Sequence, residues 1–130
     1  MQMTGEFMFT RSAIFCDRIH DGMDEAFFDA VRTRLRPAWE QMLHAQEVRL
    51  YRPRAAEEPG ADVFLVLEID YPSRNAITEA LASEHRRAAL EALASVQHMY
   101  VGSHHHIIYR AIAFGSALWS RRFQAIENAE

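Results

Sequence analysis

Three consecutive histidines, His104, His105 and His106, stand directly before the apolar run Ile107-Ile108-Tyr109. Side chains alternate along a strand, so His104 and His106 share one face and His105 takes the other. Imidazole has its ordinary pKa near neutrality, which suits it to carrying protons. Two histidines on one face also begin a metal site, but a stable site needs a third or fourth ligand. Glu68 or Asp70, from another strand, could supply it. The plainer reading is a set of partly exposed histidines at a strand entrance.

A second polar set lies on otherwise apolar segments. Arg49 and Tyr51 share one face of one strand candidate, Glu68 and Asp70 one face of the next, and His104, His106 and Arg110 one face of the last. If those faces coincide, a pocket holds acid, base and cation together, an arrangement that perturbs pKa values and supports general acid–base chemistry. His104, His106, Glu68 and Asp70 are then the candidate acid–base residues, with Arg49, Tyr51 and Arg110 positioning a ligand. The competing account is a buried ion-pair network of Arg49 or Arg110 with Glu68 or Asp70. Arg32, Arg34 and Arg36, with Arg52 and Arg54, make an arginine-rich region that suits either an anionic ligand or a surface paired with Glu57 and Glu58. Phe27, Phe28, Trp39 and Phe64 read as core, or as the lining of an aromatic-tolerant pocket.

Composition removes several classes. All 14 basic residues are arginine, so Schiff-base chemistry and a P-loop lysine are excluded. No nucleophile elbow or dinucleotide fingerprint occurs. The formal net charge of −4 disfavours nucleic acid as a partner. Cys16 is the single cysteine, which rules out an intrachain disulfide and reads as a small buried hydrophobe. No apolar run is long enough to span a bilayer, and the first residues lack a signal-peptide pattern, so a cytoplasmic, membrane-free protein is expected.

The elements that must position these residues follow from periodicity. Phe7 to Cys16 reads as a first strand. Asp24 is placed to cap a helix with Phe27, Phe28, Val31 and Leu35 on one face. Pro37 is expected to begin a second short helical piece carrying Trp39, Met42 and Leu43. Glu47 to Arg52 and Asp62 to Tyr71 read as an antiparallel pair around a loop containing Pro59-Gly60. Arg74 to Val96 is helical with a break near Ser83, Gly102 closes that region, and His104 to Phe114 is the fourth strand. Residues 115–130 form a helical tail with Trp119, Phe123 and Ile126 as its stripe. At 130 residues this is one domain, with a core over 7–114. The order β-α-β-β-α-β predicts an α+β, ferredoxin-like fold: a four-stranded antiparallel sheet with both helices on one face.

The strands predict a partner as well. A sheet wet on one face should alternate cleanly, yet Phe64 and Val66 oppose Val63, Leu65, Leu67 and Ile69. Ile108 and Ile112 likewise oppose Ile107 and Tyr109. A second copy of the sheet is the expected cover, giving a homodimer; the tail helix is the other candidate.

The stretch Tyr71-Pro72-Ser73-Arg74-Asn75-Ala76-Ile77, continuing to Glu79-Ala80-Leu81-Ala82-Ser83, resembles the corresponding region of EthD-like proteins. Residues 7–114 are similar in arrangement to the wider dimeric α+β barrel superfamily, which includes cofactor-free monooxygenases. The resemblance implies an obligate dimer with a pocket between each sheet and its helices. Many EthD-like members carry a histidine just before a proline near the end of the first helical region. Here Arg36 precedes Pro37, so that residue does not carry over. The expected function is binding of, or cofactor-independent action on, a small organic substrate. The alternatives are a non-catalytic dimeric interaction module, with an exposed apolar patch on its helices, and a metal-binding protein using the His104–His106 run.

Overall fold

The computed structural model describes residues 8–60 and 62–113. The tail expected over 115–130, with Trp119, lies outside the described residues. The strands are β1 (Phe9–Ile19), β2 (Glu47–Tyr51), β3 (Val63–Tyr71) and β4 (Tyr100–Arg110), in one antiparallel sheet of order β2-β3-β1-β4. The helices are α1 (Asp24–Ala30), α2 (Arg36–Glu40), α3 (Arg74–Leu81) and α4 (Glu84–Ala94). The chain therefore has the ferredoxin-like topology that the element order predicted.

Alternation assigns the two faces. Ala13 and Phe15 of β1 pair with Leu67 and Leu65 of β3, and all four are buried beneath the helices. Val66, Glu68 and Asp70 point to the other face. Phe64 does not follow them. Phe15 pairs with Leu65 while Cys16 pairs with Val63, so Phe64 is the extra residue of a β-bulge. It turns to the helix side, its ring 5.5 Å from Phe27 and 5.2 Å from Tyr100. The bulge thus removes one of the outward apolar residues that the strand pattern had suggested. Full burial of large side chains such as Phe27 and Leu35 stabilises the core by about 1.5–3 kcal/mol each.

Three boundaries differ from the periodicity. Met23, not Asp24, holds the cap position of α1, without a side-chain cap; Asp24 is the first helical residue, where its charge favours the helix N-terminus. Pro37 sits in the first turn of α2, as expected, but the helix starts at Arg36, ends at Glu40 before Met42 and Leu43, and is not separated from α1. A π-helical turn, Val31–Leu35, joins α1 to α2 with helical dihedrals on both sides. The wider turn accommodates a ring that lacks an N–H and would clash with the carbonyl four residues back. β4 begins at Tyr100, so Gly102 lies inside the strand. It pairs with Asp17 at a φ of +139°, and a Cβ there would stand 1.8 Å from the Cys16 carbonyl oxygen. The glycine permits this close approach. The break near Ser83 is present: Ser83 caps α4, its hydroxyl accepting from the Arg86 N–H.

A cleft between the sheet and helix α4

The register decides which polar residues meet. His104 pairs with Phe15, His106 with Ala13 and Arg110 with Phe9, so these β4 residues point to the helix side. Arg49 pairs with Glu68 and Tyr51 with Val66, so Arg49, Tyr51, Glu68 and Asp70 point to the other side. The faces do not coincide, and the expected cluster divides into two groups separated by the thickness of the sheet.

On the open face, Arg49 is the hub. Its guanidinium donates to both oxygens of Asp70, at 2.7 and 2.8 Å, and to Glu68 at 3.0 Å. Thr10 donates its hydroxyl to Asp70 at 2.7 Å, and the Tyr51 hydroxyl reaches Glu68 at 3.4 Å. Asp70 is only 2% exposed. The hydrogen bonds to Asp70 are the main cause holding the Arg49 pKa above its ordinary value. A carboxylate saturated by a forked cation is a structural ion pair, ill suited to taking up protons at neutral pH. Around this network stand Tyr109, 44% exposed, and Ile107, 41% exposed.

On the helix side, a cleft of about 70 Å³ lies between the sheet and α4. Trp39, Met42, Leu67 and Leu93 are among its apolar walls, and Arg11, Arg86, His104 and His106 supply its polar groups. The volume holds about five waters by the usual measure, the scale of one aromatic ring. Burial is the main cause that pushes the His106 imidazole down to about 4, with the charges of Arg11, His104, Arg86 and His105 adding to it. Burial lowers the His104 pKa too. Both rings are therefore neutral at pH 7. His104 stacks 4.2 Å from Phe15, and its Nε2 lies 3.1 Å from the Tyr100 hydroxyl. Burial raises the Tyr100 pKa, so this phenol keeps its proton and can donate it to Nε2 when the ring proton sits on Nδ1. Arg110 shares this face but does not line the cleft.

Arg11 and Arg86 went unmarked in the sequence, although a signal existed. Arg11 has the parity of Phe9, Ala13 and Phe15, and so occupies an inward position on the central strand. Arg86 precedes Ala89, Leu90 and Leu93 at helical spacing.

The remaining candidates are resolved locally. Arg32 pairs with Asp29 at 3.1 Å and Arg36 with Glu40 at 2.9 Å, while Arg52 lies 4.1 Å above the Phe28 ring. Arg34 donates to the Ser95 hydroxyl at 3.2 Å, so Arg32, Arg34, Arg36 and Arg52 find partners other than Glu57 and Glu58. A metal site at His104 and His106 lacks its third ligand, because Glu68 and Asp70 are across the sheet. No group of three His, Cys, Asp or Glu residues gathers among the described residues. Among the described residues, Leu90 is the only large helical side chain that is apolar and exposed, and it lines the cleft. No described helix is long and apolar enough to cross a membrane.

The element order and sheet topology give the chain a ferredoxin-like α+β fold. An EthD-family protein from Bacillus halodurans superimposes with a TM-score of 0.65 at 13% identity, covering 79% of this chain and 97% of the other. SnoaB, a cofactor-independent oxygenase from Streptomyces nogalater, superimposes at 0.56 with 18% identity, covering 83% and 96%. A dimeric ferredoxin-like protein of unknown function from Bacteroides fragilis gives 0.58 with 13% identity, covering 84% and 99%. At these identities the likeness is one of fold. No protein-family model and no curated protein sequence matches the chain.

Proposed function

We propose that this protein, as a homodimer, binds a small organic molecule in the cleft beneath α4 without a tightly held cofactor. In this reading His106 is the hydrogen-bond acceptor toward that molecule, and His104, steadied by Tyr100, stands behind it. The observation that carries the proposal is the placement of two imidazoles, His104 and His106, beside Arg11 and Arg86 among the apolar walls of one cleft; burial favours the neutral form of both rings. A neutral ring can accept a hydrogen bond at pH 7, whereas a charged one cannot. Glu68 and Asp70 leave the candidate catalytic set and become, with Arg49, the fixed polar centre of the face on which a second copy docks. Support for that second copy comes from the exposed Ile107 and Tyr109 around the ion pair, and from structural neighbours that are dimeric.

The test uses 4-fluorobenzamide, a neutral one-ring probe whose N–H can donate to an imidazole. Its titration into isotope-labelled protein should shift the amide signals of Ala89, Leu90, Leu93 and His106. His106→Ala should weaken binding while leaving the melting temperature at pH 7.5 nearly unchanged. Shifts confined to the opposite face, or a large loss of stability with binding intact, would reject the assignment. For the dimer, sedimentation at micromolar concentration should give twice the chain mass, and Ile107→Arg should give the monomer. A wild-type monomer removes that part of the proposal.

A further inference from the structure

Taking the cleft as the ligand site, we infer that its ligand is an organic anion: an apolar body of about one aromatic ring bearing a carboxylate, held between the guanidinium groups of Arg11 and Arg86. The argument begins with charge bookkeeping around the cleft. The chain carries 18 acidic residues against 14 arginines, yet neither Asp nor Glu is among the described residues that line this cleft. Several arginines elsewhere pair with a counter-charge, as Arg32, Arg36, Arg49 and Arg87 do, and Arg34 and Arg52 rest on Ser95 and the Phe28 ring. Arg11 and Arg86 form no ion pair with any described residue, although both face the same small space.

Their placement is costly without a ligand. Arg11 sits on the helix-facing side of the central strand, between Ile69 of β3 and Ile108 of β4. An unpaired cation on an apolar wall loses hydration, and a second cation nearby repels it. Both effects are visible in Arg11, whose pKa is lowered first by burial and then by Arg86. Burial of Tyr71 raises its pKa, so no phenolate is there to neutralise the pair at pH 7. A bound carboxylate relieves both penalties and suits the forked geometry of the guanidinium. The apolar walls, Trp39 and Met42 among them, then take the rest of the molecule. Because the whole chain is net negative, general attraction of anions to the surface is weak. A preference for anions must arise locally.

The experiment compares 4-fluorobenzoate with the isosteric 4-fluorobenzamide by ¹⁹F and amide-shift titration at pH 7.5 and constant ionic strength. Wild-type protein should bind the carboxylate at least tenfold more tightly than the carboxamide. Arg86→Gln, at a helix position where folding is least at risk, should reduce that ratio at least fivefold, chiefly through lost carboxylate affinity. Arg11→Gln should do the same where it folds. Equal affinity for the two probes would overturn the anion inference and leave the cleft standing as a ligand site. A preference that survives Arg86→Gln unchanged would equally overturn it. Failure of both probes to bind would remove the inference together with the cleft reading.

Discussion

His106 makes the stability of the fold depend on pH in a window that is set by the cleft. Its ordinary pKa of 6.5 falls to about 4 in the folded chain, while in the unfolded chain it returns to the ordinary value. Above pH 6.5 the ring is neutral in both states and contributes nothing. Between 6.5 and about 4 the unfolded chain binds the proton and the folded chain does not, so stability falls as pH falls. At 1.36 kcal/mol for each pH unit, the ceiling is about 3.4 kcal/mol. His106 is an exposed residue, and solvent screening reduces the expected loss to about 1–2 kcal/mol. The assay is urea unfolding of wild type and His106→Gln at pH 7.0, 5.5 and 4.5, as about three points across the window. Carboxylate titrations are common to both chains and cancel in the difference. Wild type should lose about 1–2 kcal/mol relative to the variant between the first and last points. A direct titration of the ring by nuclear magnetic resonance should give a midpoint near 4. Parallel stability curves, or a midpoint at the ordinary value, would refute the claim that burial and the arginines hold this ring neutral.

Two further perturbations examine the sheet that carries the site. Arg49→Met leaves the buried Asp70 carboxylate without its forked partner and should cost about 2–3 kcal/mol in urea unfolding, below the loss for a fully buried pair because Arg49 is partly solvated. Adding Asp70→Asn should recover much of that loss; a double variant no better than the single one would show that the pair is not the cause. Gly102→Ala places a methyl group against the Cys16 carbonyl at a φ that L-residues avoid, and should lower stability by at least about 3 kcal/mol. An unfolding midpoint equal to that of wild type would contradict the geometry at the bulge.

The local chain reveals a good deal of this protein. Apolar spacing locates all four strands and the helices between them, the Ser83 break is visible as a residue that caps better than it propagates, and their order is enough to name the topology. Pro37 marks the start of the second helix but not a break in the chain's helical path, because the preceding turn, Val31–Leu35, widens to accept it. Phe64 misleads: alternation holds only while the register is unbroken, and one bulge turns this ring inward.

The division of the candidate site has the same origin. Sequence parity establishes that His104 and His106 share a face, and that Glu68 and Asp70 share a face. It cannot tell whether those are the same face, since that depends on how each strand is paired with its neighbours. Pairing through β1 puts the histidines with Phe15 and Ala13 beneath the helices and the carboxylates with Arg49 on the opposite side. Residue type and spacing therefore determine the elements and the chemistry each can offer. Register, a cooperative property of the packed sheet, decides which of those chemistries meet, and here it joins two neutral imidazoles to two arginines without an ion pair among the described residues, which no local pattern had connected.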